Sequence, residues 1–283
     1  MRLLPTILTA IAIPLCSIAQ PAEPADTVTV FMIGDSTMAN KPLSKENQER
    51  GWGQMLPMYL TGPVKVDNHA VNGRSSKSFI NEGRWDRVME KIRPGDYVII
   101  QFGHNDEKPK ADRHTDPGST FDDNLRKFVN ESRSKGATPI LMNSIVRRNF
   151  PAPDGQAAAE TDDKQKSFQA GKKDYPAEGE VLVETHGDYI VAPRNVANEL
   201  AVFFIDMNAA TRELVQGLGT ERSKALFMWI PENTYEFCPK GKIDNTHLNI
   251  KGAIQVAGLA VDRMAAEIPG FRRFVRPEAY NLN

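Results

Sequence analysis

Five short apolar runs, separated by stretches with helical periodicity, constrain the fold of this chain more than any other feature. The runs are residues 28–33, 64–68, 96–102, 139–144 and 202–206. Each is rich in β-branched, aromatic or other apolar residues and is bounded by turn formers, which is the pattern of a strand. Gly34 ends the first run and Gly103 stops the third. Between runs, Trp85, Val88, Met89 and Ile92 recur at helical spacing, as do Phe121, Leu125, Phe128 and Val129. A last helix is predicted from about residue 250 to residue 268. Parallel strands need a long crossover, usually a helix, whereas antiparallel strands can be joined by two residues. Alternation of strand and helix therefore predicts an α/β domain, its parallel sheet covered by helices on both faces.

The chain has 283 residues, enough for a large core, and its 40% hydrophobic and 25% charged residues are ordinary for a globular domain. Lys and Arg number 35 against 36 Asp and Glu, so the basic excess that a nucleic-acid partner usually demands is absent. Two cysteines cannot build a disulfide framework. Arg2 followed by the apolar run 3–15 is too short to span a bilayer comfortably. With small residues at Ser17 and Ala19, it reads as a signal peptide cleaved after Ala19. The expectation is an exported protein, periplasmic or secreted, with residues 1–19 removed and 20–283 forming one domain without a membrane span. Residues 107–120 and 148–192 are polar and rich in Gly, Pro, Asp and Lys, and read as surface excursions.

In parallel α/β sheets, ligands bind outside the carboxyl ends of the strands. After the first run comes Gly34-Asp35-Ser36-Thr37, which can expose a serine hydroxyl and its N–H. After the second comes Asn72-Gly73-Arg74, where Gly73 lets the backbone approach a ligand. After the third comes Gly103-His104-Asn105-Asp106, where Asn105 can present an amide donor. Asp244 and His247 stand just before the last helix. Each piece alone has a dull explanation as a turn, a cap or a surface polar group. Together they supply a nucleophile, oxyanion donors, an orienting carboxylate and a base, which is the inventory of acyl transfer. The Gly-x-Ser-x-Gly elbow of α/β-hydrolases is missing, and no His spacing matches a zinc site such as His-Glu-x-x-His.

This combination resembles the SGNH (GDSL-like) hydrolase superfamily, and more closely the rhamnogalacturonan acetylesterases. The stretches carrying it are 33–37, 51–54, 68–76, 101–106 and 244–249, spread over roughly residues 28–268. The resemblance implies a three-layer α/β/α sandwich with a five-stranded parallel sheet, flavodoxin-like in arrangement. It implies a catalytic Ser36, His247 and Asp244, and an oxyanion hole made by the Ser36 N–H, the Gly73 N–H and the Asn105 side chain. It implies a secreted serine esterase that removes O-acetyl groups from a plant cell-wall polysaccharide, foremost rhamnogalacturonan, without metal or cofactor. The alternatives are an acetylesterase for xylan or another glycan, a lipid esterase or thioesterase, and a carbohydrate-binding module without catalysis.

Other residues carry competing explanations. Trp52, Arg74, Lys77, Arg84 and Trp85 lie near the motifs. Aromatic faces stack on sugars and cations pair with uronates, so Trp52 and Arg74 are candidate substrate contacts. Core packing and solvated charge are the plainer readings. His104 is a candidate cleft residue or a packing one. Asp35 and Asp106 are expected to hydrogen-bond within their loops. His69 is expected to be structural, and His114 and His186 to lie on the surface.

Overall fold

The computed structural model describes residues 27–152 and 178–277. The signal-peptide expectation for residues 1–19 lies outside them, as does much of the 148–192 excursion. Five strands form one sheet: β1 Val28–Gly34, β2 Val64–Asn68, β3 Tyr97–Gln101, β4 Thr138–Met142 and β5 Phe203–Ile205. Every adjacent pair is parallel and the order is β2-β1-β3-β4-β5. Each element falls within two residues of its expected run; β1, β3 and β4 are buried almost throughout and read as near-continuous apolar segments, whereas the edge strand β2 is only partly buried.

The helices are α1 Trp52–Met55, α2 Ser76–Asn81, α3 Arg84–Met89, α4 Thr120–Ser134, α5 Ala192–Leu200, α6 Met207–Ser223 and α7 Ile250–Glu267. Side chains alternate across a strand, and β1 divides its residues accordingly. Val30 and Met32 enter one apolar cluster with Trp52, Met207 and the buried face of α7. Phe31 and Ile33 enter another with Phe79, Trp85, Phe128 and Val196. Helices α1, α6 and α7 therefore cover one face and α2 to α5 the other, giving the three-layer sandwich. The sheet reverses direction of growth between β1 and β3. That switch point, at the carboxyl ends of the strands, is where an open α/β sheet leaves a crevice.

The second sheet escaped the sequence reading. Strands β6 Phe227–Ile230 and β7 Lys242–Leu248 pair antiparallel as a separate two-stranded sheet. Arg50 N donates to the Leu248 carbonyl at 3.0 Å, and an isolated bridge joins Glu49 to Asn249. These contacts tie β7 to the segment leading into α1. Asn249 then caps α7 by accepting from Gly252 N at 2.9 Å.

The 148–192 excursion is not simply a surface feature. Arg148 is fully buried between Glu178, the Thr220 carbonyl, Ser223 and Asn245, and Leu182 is buried in the core. His186, expected on the surface, is also buried.

Candidate active site

The Ser36 turn is built from the end of β1. Asp35 Oδ1 accepts from the Thr37 N–H at 2.9 Å and from the Thr37 hydroxyl at 2.8 Å. The Asp35 carbonyl accepts from Met38 N and Ala39 N. These bonds hold the chain in a tight turn with Ser36 at its tip. Gly34 is required where the turn leaves the sheet, because a Cβ there would lie 2.7 Å from the Gln101 carbonyl of β3.

The segment after β2 runs alongside, with Val71 N donating to the Gly34 carbonyl at 3.0 Å. It turns at Gly73, whose φ of +72° is a left-handed conformation that glycine adopts without strain. The segment after β3 closes on the same place. Asn105 Nδ2 donates to the Arg74 carbonyl at 3.2 Å, next to Gly73, and one amide hydrogen is left over. Asp106 clamps the assembly from below. Its carboxylate accepts from Ser76 N, Ser76 Oγ, Gly103 N and Thr115 Oγ1. Burial pushes the Asp106 carboxyl up to about 7, against the pull of the Ser76 and Thr115 hydrogen bonds.

Strand β7 brings the other half. His247 Nε2 lies 2.8 Å from Ser36 Oγ, across 211 residues of chain. His247 Nδ1 lies 2.8 Å from Asp244 Oδ2. Asp244 Oδ1 accepts the backbone N–H of Thr246 at 2.8 Å and of His247 at 2.9 Å, which fixes the carboxylate against the ring. Burial would raise the Asp244 carboxyl. The His247 ring and the Lys242 ammonium outweigh it and hold the carboxyl well below the usual range. An ionised carboxylate can only accept, so Nδ1 carries the hydrogen. Nε2 is then free to accept from the serine hydroxyl. The arrangement can take a proton from Ser36 and return it, which is the geometry of an activated oxygen nucleophile.

Several expected contacts fall elsewhere. Trp52 is fully buried, with Nε1 donating to Gln101 Oε1 at 2.9 Å, so its ring offers no face to a sugar. Trp85 is likewise core, donating to Glu131. His104 does not line the cleft. It is buried, its Nδ1 2.9 Å from His186 Nε2, and His186 Nδ1 meets Glu184 Oε1 at 2.5 Å. A ring taken from water needs such partners. Arg74 remains partly exposed and pairs with Glu82 at 3.1 Å. Asp35 and Asp106 hydrogen-bond within and between loops as expected. His69 and His114 are part-exposed beside Asp67 and Asp116.

The sequence reading missed four charged residues around the site. The Arg113 guanidinium packs against Gly73, 3.6 Å from where a Cβ would stand. Buried Lys41 and partly buried Glu49 and Lys242 form a chain of ion pairs that reaches Asp244. The one available signal was Lys242 and Asp244 two apart on a strand, on the same face. Among the described residues no cluster of three or more His, Cys, Asp or Glu could hold a metal, and no helix is long and apolar enough to cross a membrane.

Residues 32–252 match the GDSL-like Lipase/Acylhydrolase family, most of the chain and every segment of the site. The chain belongs to that family. It is therefore an SGNH-type carboxylic ester hydrolase. It is similar to the rhamnogalacturonan acetylesterase RhgT of Bacillus subtilis, at 38% identity over 83% of this chain and 88% of that one. It is also similar to a rhamnogalacturonan acetylesterase of Emericella nidulans, at 26% identity over 81% of each. The crystal structure of protein YxiM of Bacillus subtilis superposes with a TM-score of 0.62 and 25% identity, covering 85% of this chain and 56% of that one.

Proposed function

We propose that this chain is an exported acetylesterase that removes O-acetyl groups from rhamnogalacturonan through an acetyl-enzyme on Ser36. The observation that carries the chemistry is the unbroken hydrogen-bond line from Asp244 through His247 to Ser36. The likeness to RhgT supports the choice of glycan.

In this reading Ser36 Oγ attacks the acetyl carbonyl carbon while its proton passes to His247 Nε2. The imidazolium that forms is stabilised by Asp244. The carbonyl oxygen becomes an oxyanion that accepts from the Ser36 N–H, the Gly73 N–H and the spare Asn105 amide hydrogen. Losing one such donor typically costs about 10²–10³ in turnover. The C–O bond to the sugar breaks as His247 returns the proton to the departing hydroxyl. Water then attacks the acetyl-enzyme with His247 as base, releasing acetate and restoring Ser36. Residues 1–19 are the removable export segment and 20–283 the single catalytic domain. Arg74, at the rim, is available to pair with a uronate carboxylate once Glu82 yields it.

The test is acetate released from acetylated rhamnogalacturonan, homogalacturonan and xylan, with Ser36→Ala as control. Fastest release from rhamnogalacturonan, abolished in the variant, is expected. A preference for xylan moves the substrate. Equal background rates in both proteins would favour a binding module.

A further inference from the structure

The reaction above uses Ser36, His247 and Asp244 and leaves three charged side chains beside them without a task, Lys41 buried and Glu49 and Lys242 partly buried. The Lys41 side chain is 2% exposed, with Nζ 2.8 Å from Glu49 Oε1 and 2.5 Å from Asn72 Oδ1. Glu49 Oε2 lies 2.9 Å from Lys242 Nζ, and Lys242 Nζ lies 3.2 Å from Asp244 Oδ2. The contacts make one line, from Ser36 through His247, Asp244, Lys242, Glu49 and Lys41 to Asn72. Asn72 directly precedes Gly73, so the line runs from the base side of the site toward its oxyanion side.

Buried charges are expensive, and burying them for stability alone is a poor bargain against apolar packing. These two ammonium groups and one carboxylate instead have an electrostatic consequence at His247. Lys242 touches the same Asp244 oxygen that receives His247 Nδ1, so it weakens the field that would stabilise an imidazolium. Glu49 opposes that effect. Burial would raise the Glu49 carboxyl, yet His247, Lys41 and Lys242 bring it down to about 2, so it stays ionised through the working range. The charged groups that act on His247 are Asp244 from β7, Glu49 from the segment before α1 and Asp35 from the end of β1, with Lys242 acting through Asp244 and Lys41 through Glu49.

We propose that Glu49 is a positioning residue of this esterase. Held between Lys41 and Lys242, it supplies a second negative charge for the His247 imidazolium and fixes the Asn72-Gly73 turn relative to the base. The proposal rests on His247 as the base and does not depend on which glycan is cleaved.

The experiment is the pH profile of kcat/KM on a small chromogenic acetate ester, a substrate indifferent to glycan recognition. Wild-type hydrolysis abolished by Ser36→Ala establishes the esterase reading independently; its absence overturns that reading and leaves no base for Glu49 to serve. Glu49→Gln leaves two lysines uncompensated, so an imidazolium is harder to form. The acidic limb moves to lower pH by about one unit, and the plateau falls about tenfold. Lys242→Met removes a cation, so the limb moves to higher pH. Glu49→Asp keeps the charge and restores the limb to within about half a unit. A merely structural Glu49 would lower the plateau or the melting temperature without moving the limb. A stationary limb in folded Glu49→Gln, or shifts of the same sign in Glu49→Gln and Lys242→Met, would overturn the proposal. Should Glu49→Gln fail to fold, the same change is made in Lys242→Met, where one lysine is gone: a limb lower than in Lys242→Met alone is expected, and an unmoved limb overturns the proposal.

Discussion

Asp106 joins the loops that carry Gly73 and Asn105, and its replacement has a calculable cost. The side chain is fully buried and accepts from two backbone N–H groups, Ser76 and Gly103, and two hydroxyls, Ser76 and Thr115. The hydroxyls can rotate toward other acceptors. The backbone donors cannot. A buried donor left unpaired costs about 1–3 kcal/mol. Asp106→Ala strands both, so about 2–6 kcal/mol is lost before any cavity term. Asp106→Asn keeps Oδ1 for Ser76 and Thr115 and turns an amide NH2 toward Gly103, stranding one donor for about 1–3 kcal/mol. The comparison belongs at pH 8, above the value of about 7 to which burial pushes the carboxyl. Urea unfolding gives the two losses, and hydrolysis of a small acetate ester gives their effect on turnover. The alanine variant is expected to lose roughly twice what the asparagine variant loses, with turnover falling in both because Gly103 lies two residues before Asn105. If both variants unfold at the wild-type urea midpoint, the clamp is irrelevant and the reasoning fails.

Gly73→Ala places an alanine at a φ of +72°, a strain of about 1–2 kcal/mol that the chain relieves by moving the Gly73 N–H. Turnover is expected to fall about 10²-fold with KM nearly constant, checked by steady-state kinetics on an acetate ester. Trp52→Ala removes a fully buried indole, so the loss is stability, about 3–5 kcal/mol, and shows in thermal unfolding. A raised KM for the glycan at unchanged stability would instead return Trp52 to the substrate. At Glu184, burial would raise the carboxyl, but the His186 hydrogen bond and charge hold it at about 2. A depressed carboxyl stabilises above its unfolded value and loses that contribution as pH falls. Glu184→Gln is therefore less stable than wild type at pH 7, and the difference disappears as pH falls from about 4 to about 2, followed by acid unfolding.

The inner strands β1, β3 and β4 were legible because they are buried almost throughout and so are mostly apolar, whereas the edge strand β2 is only partly buried and showed just two valines beside its turn formers. Hairpin β6–β7 was not. Strand β7 contains Lys242, Asp244, Asn245 and His247, residues poorly suited to a strand by propensity. Lys242 meets Glu49 and Asp244, Asp244 meets His247, His247 meets Ser36, and Asn245 accepts from Arg148 and Trp229. Helix α5 hid within a polar stretch because its inward face is only Ala192, Val196 and Ala197 with Pro193. The positions of Ser36, Gly73, Asn105, Asp244 and His247 could be read from strand ends and motif order. The His104–His186 pair could not, since its members are 82 residues apart and each looks like an ordinary polar residue in a loop. The same holds for Lys242 and Glu49, 193 residues apart. Spacing reveals partners on one helix or strand, but not partners that only the tertiary fold brings together.

The most direct measurement is covalent trapping with an organophosphonate ester, followed by mass spectrometry of the digested chain. The account predicts one adduct per molecule, on the peptide carrying Ser36, with ester hydrolysis lost in proportion and labelling slowed greatly in His247→Ala. Full inactivation with the adduct on another residue, or undiminished hydrolysis after Ser36 is fully labelled, would contradict it.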